Sequence, residues 1–273
     1  MSQTKNNISI LGCGNIGSAI AFGLIESDSF KPKNITVTRR NNTHSSKFTN
    51  LEINFTTNNR DAVKNSDVII IAVTPQQLKD LIEEIKDVID SKRHYIFSVV
   101  SGATIKQIKN LFSNDIPIVR VMPNTAIAIR ESMTCISGDA SDKATIEKAN
   151  RMFSELGKCV IIQEDLMIPA TALCACGIAF FLRAIRAASQ GGIEIGFHAE
   201  EALFMAAQTA KGAASMLVNK NNHPEREVDK VTTPQGCTIS GLNQMEHSGF
   251  SSSLIKGIVT SAQKAETLYS NKK

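Results

Sequence analysis

The chain has 273 residues, which suits one large domain or two of ordinary size, and 42% of them are hydrophobic. A formal charge of only +4 and the lack of tryptophan argue against a nucleic-acid surface, which needs concentrated basic charge and stacking aromatic rings. The first seven residues contain no apolar signal core, and the longest apolar run, Ala170 to Leu182, is too short to cross a bilayer. We therefore expect a cytoplasmic protein that binds neither nucleic acid nor a membrane.

The first predicted strand, Ile8–Leu11, runs into a glycine motif, Gly12-Cys13-Gly14-Asn15-Ile16-Gly17, and a helix is predicted from Gly17 to Glu26. Gly-x-Gly-x-x-Gly between a strand and a helix is typical of a dinucleotide site. Gly12 would allow the tight turn, Gly14 would let a pyrophosphate approach the backbone, and Gly17 would let the helix pack on the strand. The helix start adds free N–H groups for the phosphates. The alternative is a glycine-rich turn without a ligand.

The second predicted strand, 35–38, indicates which dinucleotide is bound. An NAD site usually has a carboxylate at the end of this strand for the ribose 2′-hydroxyl. This strand ends instead in Thr38, Arg39 and Arg40. Because a guanidinium fits a phosphate, we favour NADPH, with NADH less favoured. The alternative is that the two arginines only solvate a surface loop.

Strand-like and helix-like segments then alternate as far as residue 163. The further predicted strands are 67–73, 95–100, 116–122, 133–137 and 158–162, and the further predicted helices are 59–64, 75–89, 104–111 and 141–156. This alternation predicts a parallel, doubly wound sheet of the Rossmann type, in the α/β class.

The composition changes after residue 163. Residues 166–216 contain no good strand and are rich in alanine. A helix is predicted at 200–217, where strong helix formers run throughout, and an amphipathic helix at 255–269. We therefore expect an NADP-binding Rossmann-type domain at 1–163 and an all-α dimerisation and substrate domain at 164–273. The alternative to a dimer is a self-contained helical bundle.

Three loops are candidates for the rest of a site. Ala72-Val73-Thr74-Pro75-Gln76 and the stretch Val119–Thr125, which contains Pro123 and Asn124, each follow a buried strand. Ligands of open α/β sheets lie across these carboxyl ends. The third is a polar loop running from His223 to Gly241. Its helix start could hold a carboxylate, or it could be an ordinary N-capped helix with Thr238 as the cap.

No strand-end motif holds an acid–base pair, because His198, His223 and His247 lie in polar loops or at helix starts. An iminium substrate carries its own proton, whereas the alkoxide that develops from a ketone needs a donor. An imine is therefore the better match. The six cysteines likewise lack zinc-ligand spacing, so no metal is expected, and we interpret Cys174 and Cys176 as small packing residues in a reducing compartment.

Together these motifs resemble the pyrroline-5-carboxylate reductase family over nearly the whole chain. The most specific match is Asp229 to Thr238, which is similar to the family's D-x-V-(S/T)-(S/T)-P-G-G-x-T. Val119–Thr125 matches V-R-V-M-P-N-T in full, and 72–76 matches A-V-K-P-Q with Thr74 for lysine. The resemblance implies NADPH-dependent reduction of the C=N bond of 1-pyrroline-5-carboxylate to L-proline, the last step of proline synthesis.

The resemblance also implies roles for individual residues. The pyrophosphate would contact Gly12, Gly14, Asn15, Ile16 and Gly17. The 2′-phosphate would contact Thr38, Arg39 and Arg40. The adenosine end would contact Asn59, and the ribose and nicotinamide would contact Ala72, Val73 and Pro75. The substrate would be bound by Pro123, Asn124, Thr233, Gly236, Cys237 and Thr238, with Thr238 also near the ring nitrogen as the catalytic candidate. A homodimer would complete the site and could assemble further into a ring.

Two departures from the family pattern leave alternatives open. The family's A-L-S-G-S-G-P-A-Y is replaced here by residues 172–180, with Cys174, Cys176 and Ile178 among the changes, and Gln235 replaces a glycine of the signature loop. A glutamine there would resist a positive φ that glycine accepts. The alternatives are a reductase of another cyclic imino acid, such as a six-membered analogue, or a non-catalytic NADP-binding protein.

Overall fold

In a computed structural model, the described residues are 6–42, 45–112, 116–220 and 222–267. They divide into two compact units. The sheet unit comprises Met1–Cys176 with Ser261–Lys273, and the helical unit is Gly177–Thr260. The two units are described separately below, and the domain boundary at 163/164 stays a prediction.

The sheet unit is built on eight strands in the order β3-β2-β1-β4-β5-β6-β7-β8. They are β1 (Ile8–Leu11), β2 (Ile35–Thr38), β3 (Asn54–Thr56), β4 (Val68–Ile71), β5 (Tyr95–Ser98), β6 (Ile118–Met122), β7 (Ser132–Gly138) and β8 (Gly157–Ile161). All neighbours pair in parallel except β6 and β7. The strand order reverses on either side of β1, which places the switch point of the sheet between β1 and β4.

Twelve α-helices accompany these strands in the described ranges. They are α1 (Asn15–Glu26), α2 (Ser46–Thr49), α3 (Asn59–Lys64), α4 (Leu78–Ile85), α5 (Ile105–Lys109), α6 (Lys143–Ser154), α7 (Met167–Ala170), α8 (Gly177–Glu194), α9 (Ala199–Lys220), α10 (Pro224–Val231), α11 (Cys237–His247) and α12 (Phe250–Thr267). A π-helical turn, Thr171–Cys176, separates α7 from α8. The predicted end of the last helix, at Tyr269, lies outside the described residues.

Alternation along the buried strands divides the core into two layers. Ile8 and Ile10 of β1 face one layer and Leu11 faces the other, and β4 alternates in the same way. Both strands are buried along their whole length because helices cover both faces of the sheet. The Rossmann-type fold expected from the sequence is confirmed.

The structure departs from the sequence expectation at β7, which the alternation had implied to be parallel. Only a short 3₁₀ turn, Thr125–Ile129, joins β6 to β7. A parallel return needs a crossover of about a dozen residues or more, so β7 pairs antiparallel with β6. The prediction also missed β3, a three-residue edge strand that begins with the polar Asn54.

The helical unit contains α8, α9, α10 and α11, and α8 packs against α9. Gly192 of α8 lies where an added Cβ would be 3.0 Å from Cβ of Ala202, so the two helices approach closely there. Residues 224–231, expected to be loop, form α10, with Pro224 at its first turn and the side chain of His223 capping it. Proline suits this position because its missing N–H has no partner to lose there.

One helical run in the described chain, Glu164–Glu194, is long and apolar enough to cross a membrane by length and composition alone. The sequence expectation rested on a shorter apolar stretch. Because the run continues through the π-helical turn, its length no longer excludes a membrane. A soluble protein with an apolar interface helix would meet the same criterion.

Candidate dinucleotide and imine site

A crevice of about 220 Å³ opens at the switch point of the sheet, over the carboxyl ends of β1, β2 and β4. This is where ligands of open α/β sheets bind. Among the residues named from the sequence, it is lined by Gly12, Gly14, Thr38, Arg39, Arg40, Asn59, Ala72 and Val73. Residues from three separate strand ends and one helix thus meet at one place.

The three motif glycines occupy three different geometries. Gly12 has φ +91°, and a Cβ there would lie 2.5 Å from Cγ1 of Val73, so both turn and packing require glycine. A Cβ on Gly17 would lie 2.8 Å from the carbonyl oxygen of Gly12, which sets how closely α1 approaches β1. Gly14 has nothing within 4 Å of the Cβ position. A bound group could therefore approach the backbone at Gly14 directly.

The floor of the crevice is fixed by a chain of hydrogen bonds. The hydroxyl of Thr38, 1% exposed, donates to Oδ1 of Asn59 over 2.6 Å and accepts from the amide of Gly12 over 3.2 Å. The amide of Asn59 in turn donates to Oε2 of Glu84 over 2.9 Å. These bonds connect the ends of β1 and β2 to the start of α3 and occupy the Thr38 hydroxyl. Thr38 therefore holds the glycine turn in place.

Arg39 and Arg40 lie at the mouth of the crevice, directly after β2. Arg39 is half-buried and Arg40 is exposed, and within the described ranges neither forms an ion pair. Their charges are therefore available to an anion bound at this end.

Four further residues line the crevice without having been assigned a cofactor role from the sequence: Cys13, Asn41, Thr74 and Gln77. Oε1 of Gln77 accepts hydrogen bonds from the amide and the hydroxyl of Thr74, over 3.3 and 3.0 Å. The spacing Thr-x-x-Gln is a capping-box signature, so the sequence could have predicted a helical turn starting after Thr74. Cys13 is buried, which raises the pKa of its thiol to about 12 and makes it unreactive.

The remaining cofactor candidates lie next to this crevice. Asn15 and Ile16 form the first turn of α1, so their position follows from the helix start, and Pro75 begins the 3₁₀ turn Pro75–Gln77. Their roles in binding stay predictions.

Asn124 follows β6 and is engaged at both ends of its side chain. Its Oδ1 accepts from the amide of Ala126 over 3.0 Å, and its Nδ2 donates to the carbonyl oxygen of Cys174 over 3.2 Å. Its backbone amide donates to Oγ of Ser132. The side chain thus joins the end of β6 to the π-helical turn. The substrate roles of Asn124 and Pro123 stay predictions.

Arg120, inside the Val119–Thr125 motif, is a buried cation that the sequence reasoning did not single out. It is 2% exposed, and its Nη1 pairs with Oε1 of Glu164 over 3.3 Å. The same carboxylate oxygen accepts the backbone amide of Ile105 at the start of α5. Burial lowers the pKa of Arg120, and the carboxylate of Glu164 opposes that shift. The pair fixes β6, α5 and residue 164 to one another.

The signature loop lies in the helical unit, between α10 and α11. Gly236 is the N-cap of α11, and its amide donates to the carbonyl oxygen of Thr233 over 2.9 Å, closing a tight turn. Thr238 therefore lies inside the helix, and the expected alternative with Thr238 as cap is wrong. Because Gly236 has no side chain, it cannot cap the first N–H groups, which stay open to an anion.

Gln235 adopts φ +58°, the left-handed conformation that glycine accepts and glutamine resists. With Pro234 before it and the Gly236–Thr233 bond closing the turn, it occupies the position that in a type II turn favours glycine. The departure noted in the sequence is therefore a strained backbone position in this loop. Thr233 and Cys237 flank it, and both are exposed.

Two family models match the chain. Residues 164–268 match "Pyrroline-5-carboxylate reductase dimerisation", and residues 7–102 match "NADP oxidoreductase coenzyme F420-dependent". Pyrroline-5-carboxylate reductase 1 of Dictyostelium discoideum is 53% identical, with all of this chain covering 51% of that protein. The chain thus spans about half the length of that relative. Pyrroline-5-carboxylate reductase 2 of the same organism is 47% identical over 96% of this chain and 93% of its own.

Among solved structures, the Plasmodium falciparum pyrroline carboxylate reductase superposes with a TM-score of 0.87. It is 22% identical, and the superposition covers 98% of this chain and all of that one. At this identity the likeness establishes the fold.

Proposed function

The chain belongs to the pyrroline-5-carboxylate reductase family, and from this membership we propose that it reduces the C=N bond of 1-pyrroline-5-carboxylate to L-proline with NADPH, the last step of proline biosynthesis. The observation that carries the proposal is the glycine-lined crevice at the switch point, with two arginines at its mouth. A relative spanning nearly the same length supports the substrate.

NADPH is the proposed cofactor because the crevice fits it. The open backbone at Gly14 and the start of α1 suit a pyrophosphate, and Arg39 and Arg40 suit a 2′-phosphate. The Plasmodium falciparum enzyme was solved with NADP bound. We propose that Ala72, Val73 and Pro75 line the ribose and nicotinamide, with Asn59 at the adenosine end.

Bound NADPH would supply the hydride for the imine carbon. We propose that the N–H groups at the start of α11 and the hydroxyls of Thr233 and Thr238 bind the substrate carboxylate. The backbone groups of Gly236 and Cys237 would take part in the same contacts. Pro123 and Asn124 would lie beside the nicotinamide. The iminium nitrogen already carries its proton, so these residues need to orient the ring and exclude water without acting as a strong acid.

We propose that the enzyme is a cytoplasmic homodimer, with the partner subunit completing the site and a ring of dimers as a further possibility for assembly. The match of residues 164–268 to the dimerisation model supports this, and a second copy would cover the apolar Glu164–Glu194 run. Neither a membrane nor nucleic acid is then required.

The test is the rate of NADPH oxidation by the purified chain with racemic 1-pyrroline-5-carboxylate, repeated with NADH and with the six-membered cyclic imino acid. We expect turnover to be fastest with the five-membered imine and NADPH. Faster turnover of the six-membered ring would assign another substrate, as the Cys174–Ile178 departure allows. Tight NADPH binding without turnover of any imine would indicate a non-catalytic protein.

The substrate loop is tested by Thr238→Ala. Loss of one hydroxyl to a charged carboxylate should lower kcat/KM by about 5- to 30-fold, which corresponds to about 1–2 kcal/mol. The matched control is Ser240→Ala, on the same helix, whose hydroxyl donates to the carbonyl oxygen of Gly236. Equal steady-state constants in wild type and Thr238→Ala would place the carboxylate elsewhere.

A further inference from the structure

Two cysteines that are far apart in sequence meet in the sheet unit. Sγ of Cys135, on β7, lies 3.9 Å from Sγ of Cys174, in the π-helical turn. They belong to a small apolar cluster with Met122 and Met167, where Cys135 is 3% exposed and Cys174 is half-buried. Cys174 does pack in an apolar cluster, as expected from the sequence. Packing alone does not explain why a second thiol lies beside it.

The geometry favours a bond between these sulfurs. A disulfide joins sulfur atoms about 2 Å apart, so the pair must close by about 2 Å. Cys135 cannot move far, because β7 is paired on both sides, with Met122 of β6 and Val160 of β8 opposite this residue. Cys174 lies in a π-helical turn, whose wider loops are less regular than an α-helix. The movement therefore falls on the turn.

We propose that Cys135 and Cys174 form a reversible disulfide, and that this modification slows the reductase. The effect on rate rests on the proposed function, whereas the formation of the disulfide does not.

The two thiols differ in reactivity in the way that such a pair requires. The hydrogen bond from Cys135 lowers the pKa of Cys174 to about 7, and the same bond together with burial raises the pKa of Cys135. Cys174 is therefore partly thiolate at neutral pH and is also the more accessible sulfur. It is the nucleophile, and Cys135 is the resolving thiol.

Hydrogen peroxide is the oxidant class that completes the chemistry. The Cys174 thiolate attacks one peroxide oxygen, the O–O bond breaks, and hydroxide leaves to give a sulfenic acid. The Cys135 thiol then attacks the sulfenic sulfur, the S–S bond forms and water leaves. Two thiols lose two electrons and two protons in total, and one peroxide becomes two waters. A dithiol reverses the bond by exchange.

Disulfide formation would affect the proposed nicotinamide site through Asn124, which is hydrogen-bonded to Cys174. Its Nδ2 donates to the carbonyl oxygen of Cys174, and its Oδ1 caps the turn after β6. Because Cys135 is held between two strands, closing the disulfide pulls on the backbone of Cys174, and the first bond weakens steeply once it stretches beyond about 3.5 Å. Asn124 and Pro123 then lose their positions beside the proposed substrate.

The experiment treats the reduced, full-length protein with hydrogen peroxide and measures two quantities. Peptide mass spectrometry reports the Cys135–Cys174 disulfide, and NADPH oxidation with 1-pyrroline-5-carboxylate reports the rate. The rate of treated wild type should fall to about a tenth or less of its untreated rate, since small displacements at a reacting centre are costly. Dithiothreitol should restore the untreated rate. Inactivation should accelerate as pH rises through about 7, where the Cys174 thiolate forms.

Cys135→Ala should keep its own untreated rate within about twofold under peroxide, because no disulfide can misplace Asn124. The matched control is Cys159→Ala, a half-buried cysteine on the neighbouring strand β8, which should respond as wild type does. If Cys135→Ala fails to fold, Cys174→Ser, which carries the serine of the family pattern, replaces it.

Several outcomes would overturn the proposal. Absence of the disulfide peptide in treated wild type removes the site, and equal peroxide loss in wild type and Cys135→Ala shows that the disulfide is not what slows the reductase. A disulfide with an unchanged rate removes the regulatory part. If untreated protein turns over no imine, the proposed function fails, while the mass measurement still decides whether the disulfide forms.

Discussion

Aromatic side chains are buried in the sheet unit and exposed in the helical unit at the positions compared here. In the sheet unit, Phe97 and Phe153 are fully buried and in edge contact across the core. In the helical unit, Phe204 is 73% exposed and Phe181 is 59% exposed. The sheet unit therefore packs these rings within one chain, whereas the helical unit leaves two large aromatic side chains exposed. Large exposed apolar side chains of this kind mark an interaction surface, which supports the proposed dimer.

The largest expected effect comes from Phe204→Lys, which replaces an exposed aromatic side chain of the helical unit by a charged one. In a twofold dimer each substitution acts twice, and the loss of two buried aromatic side chains costs about 3–6 kcal/mol of association free energy. We expect a monomer in light scattering and near-complete loss of NADPH oxidation. The matched control is Leu51→Lys, at an exposed apolar residue of the sheet unit, which should stay dimeric and active. A dimeric Phe204→Lys protein would place the interface elsewhere.

The next effect is confined to the sheet unit. Replacing Arg39 and Arg40 together by alanine removes charge-assisted bonds to a 2′-phosphate, each costing about 1.5–3 kcal/mol. Two such losses sum to about 3–6 kcal/mol, so the Kd for NADPH should rise by about 150-fold or more, while the Kd for NADH should change little, as fluorescence titration of both would show. Equal losses for the two cofactors would contradict the 2′-phosphate assignment. The dimer should be unaffected, which separates this change from Phe204→Lys.

The sheet unit was the more predictable of the two because its local signals agree with its tertiary structure. The observed bounds of β1, β2 and α3 coincide with those expected from apolar runs and flanking glycines or asparagines. The direction of β7 was missed because pairing depends on the connection from β6, which apolar periodicity does not encode. Helix α10 was missed although Pro224 at its start was a readable signal.

The candidate site divides in the same way. Residues within one motif, such as Gly12 and Gly14, could be assigned because the backbone geometry follows from three glycines at fixed spacing. The partners of Thr38, Arg120 and Cys135 could not be predicted, since each contact joins side chains 21 to 44 residues apart. Such contacts depend on strand order and register, which single-sequence patterns leave open.

The smallest effect sharpens the comparison within the helical unit. Gln235→Gly should relieve the left-handed strain, which costs about 1–2 kcal/mol, against about 0.5–1 kcal/mol of added unfolded-state entropy. A net gain of about 0.5–1 kcal/mol should raise Tm by about 1–3 °C. The matched control is Glu52→Gly, which relieves φ +58° in the sheet unit and should stabilise similarly. If Gln235 constrains the substrate loop, only Gln235→Gly should also lower the KM for the imine. Equal KM values would make the residue a strained position without effect on binding, and the specificity of the loop would then reside in Thr233 and Thr238.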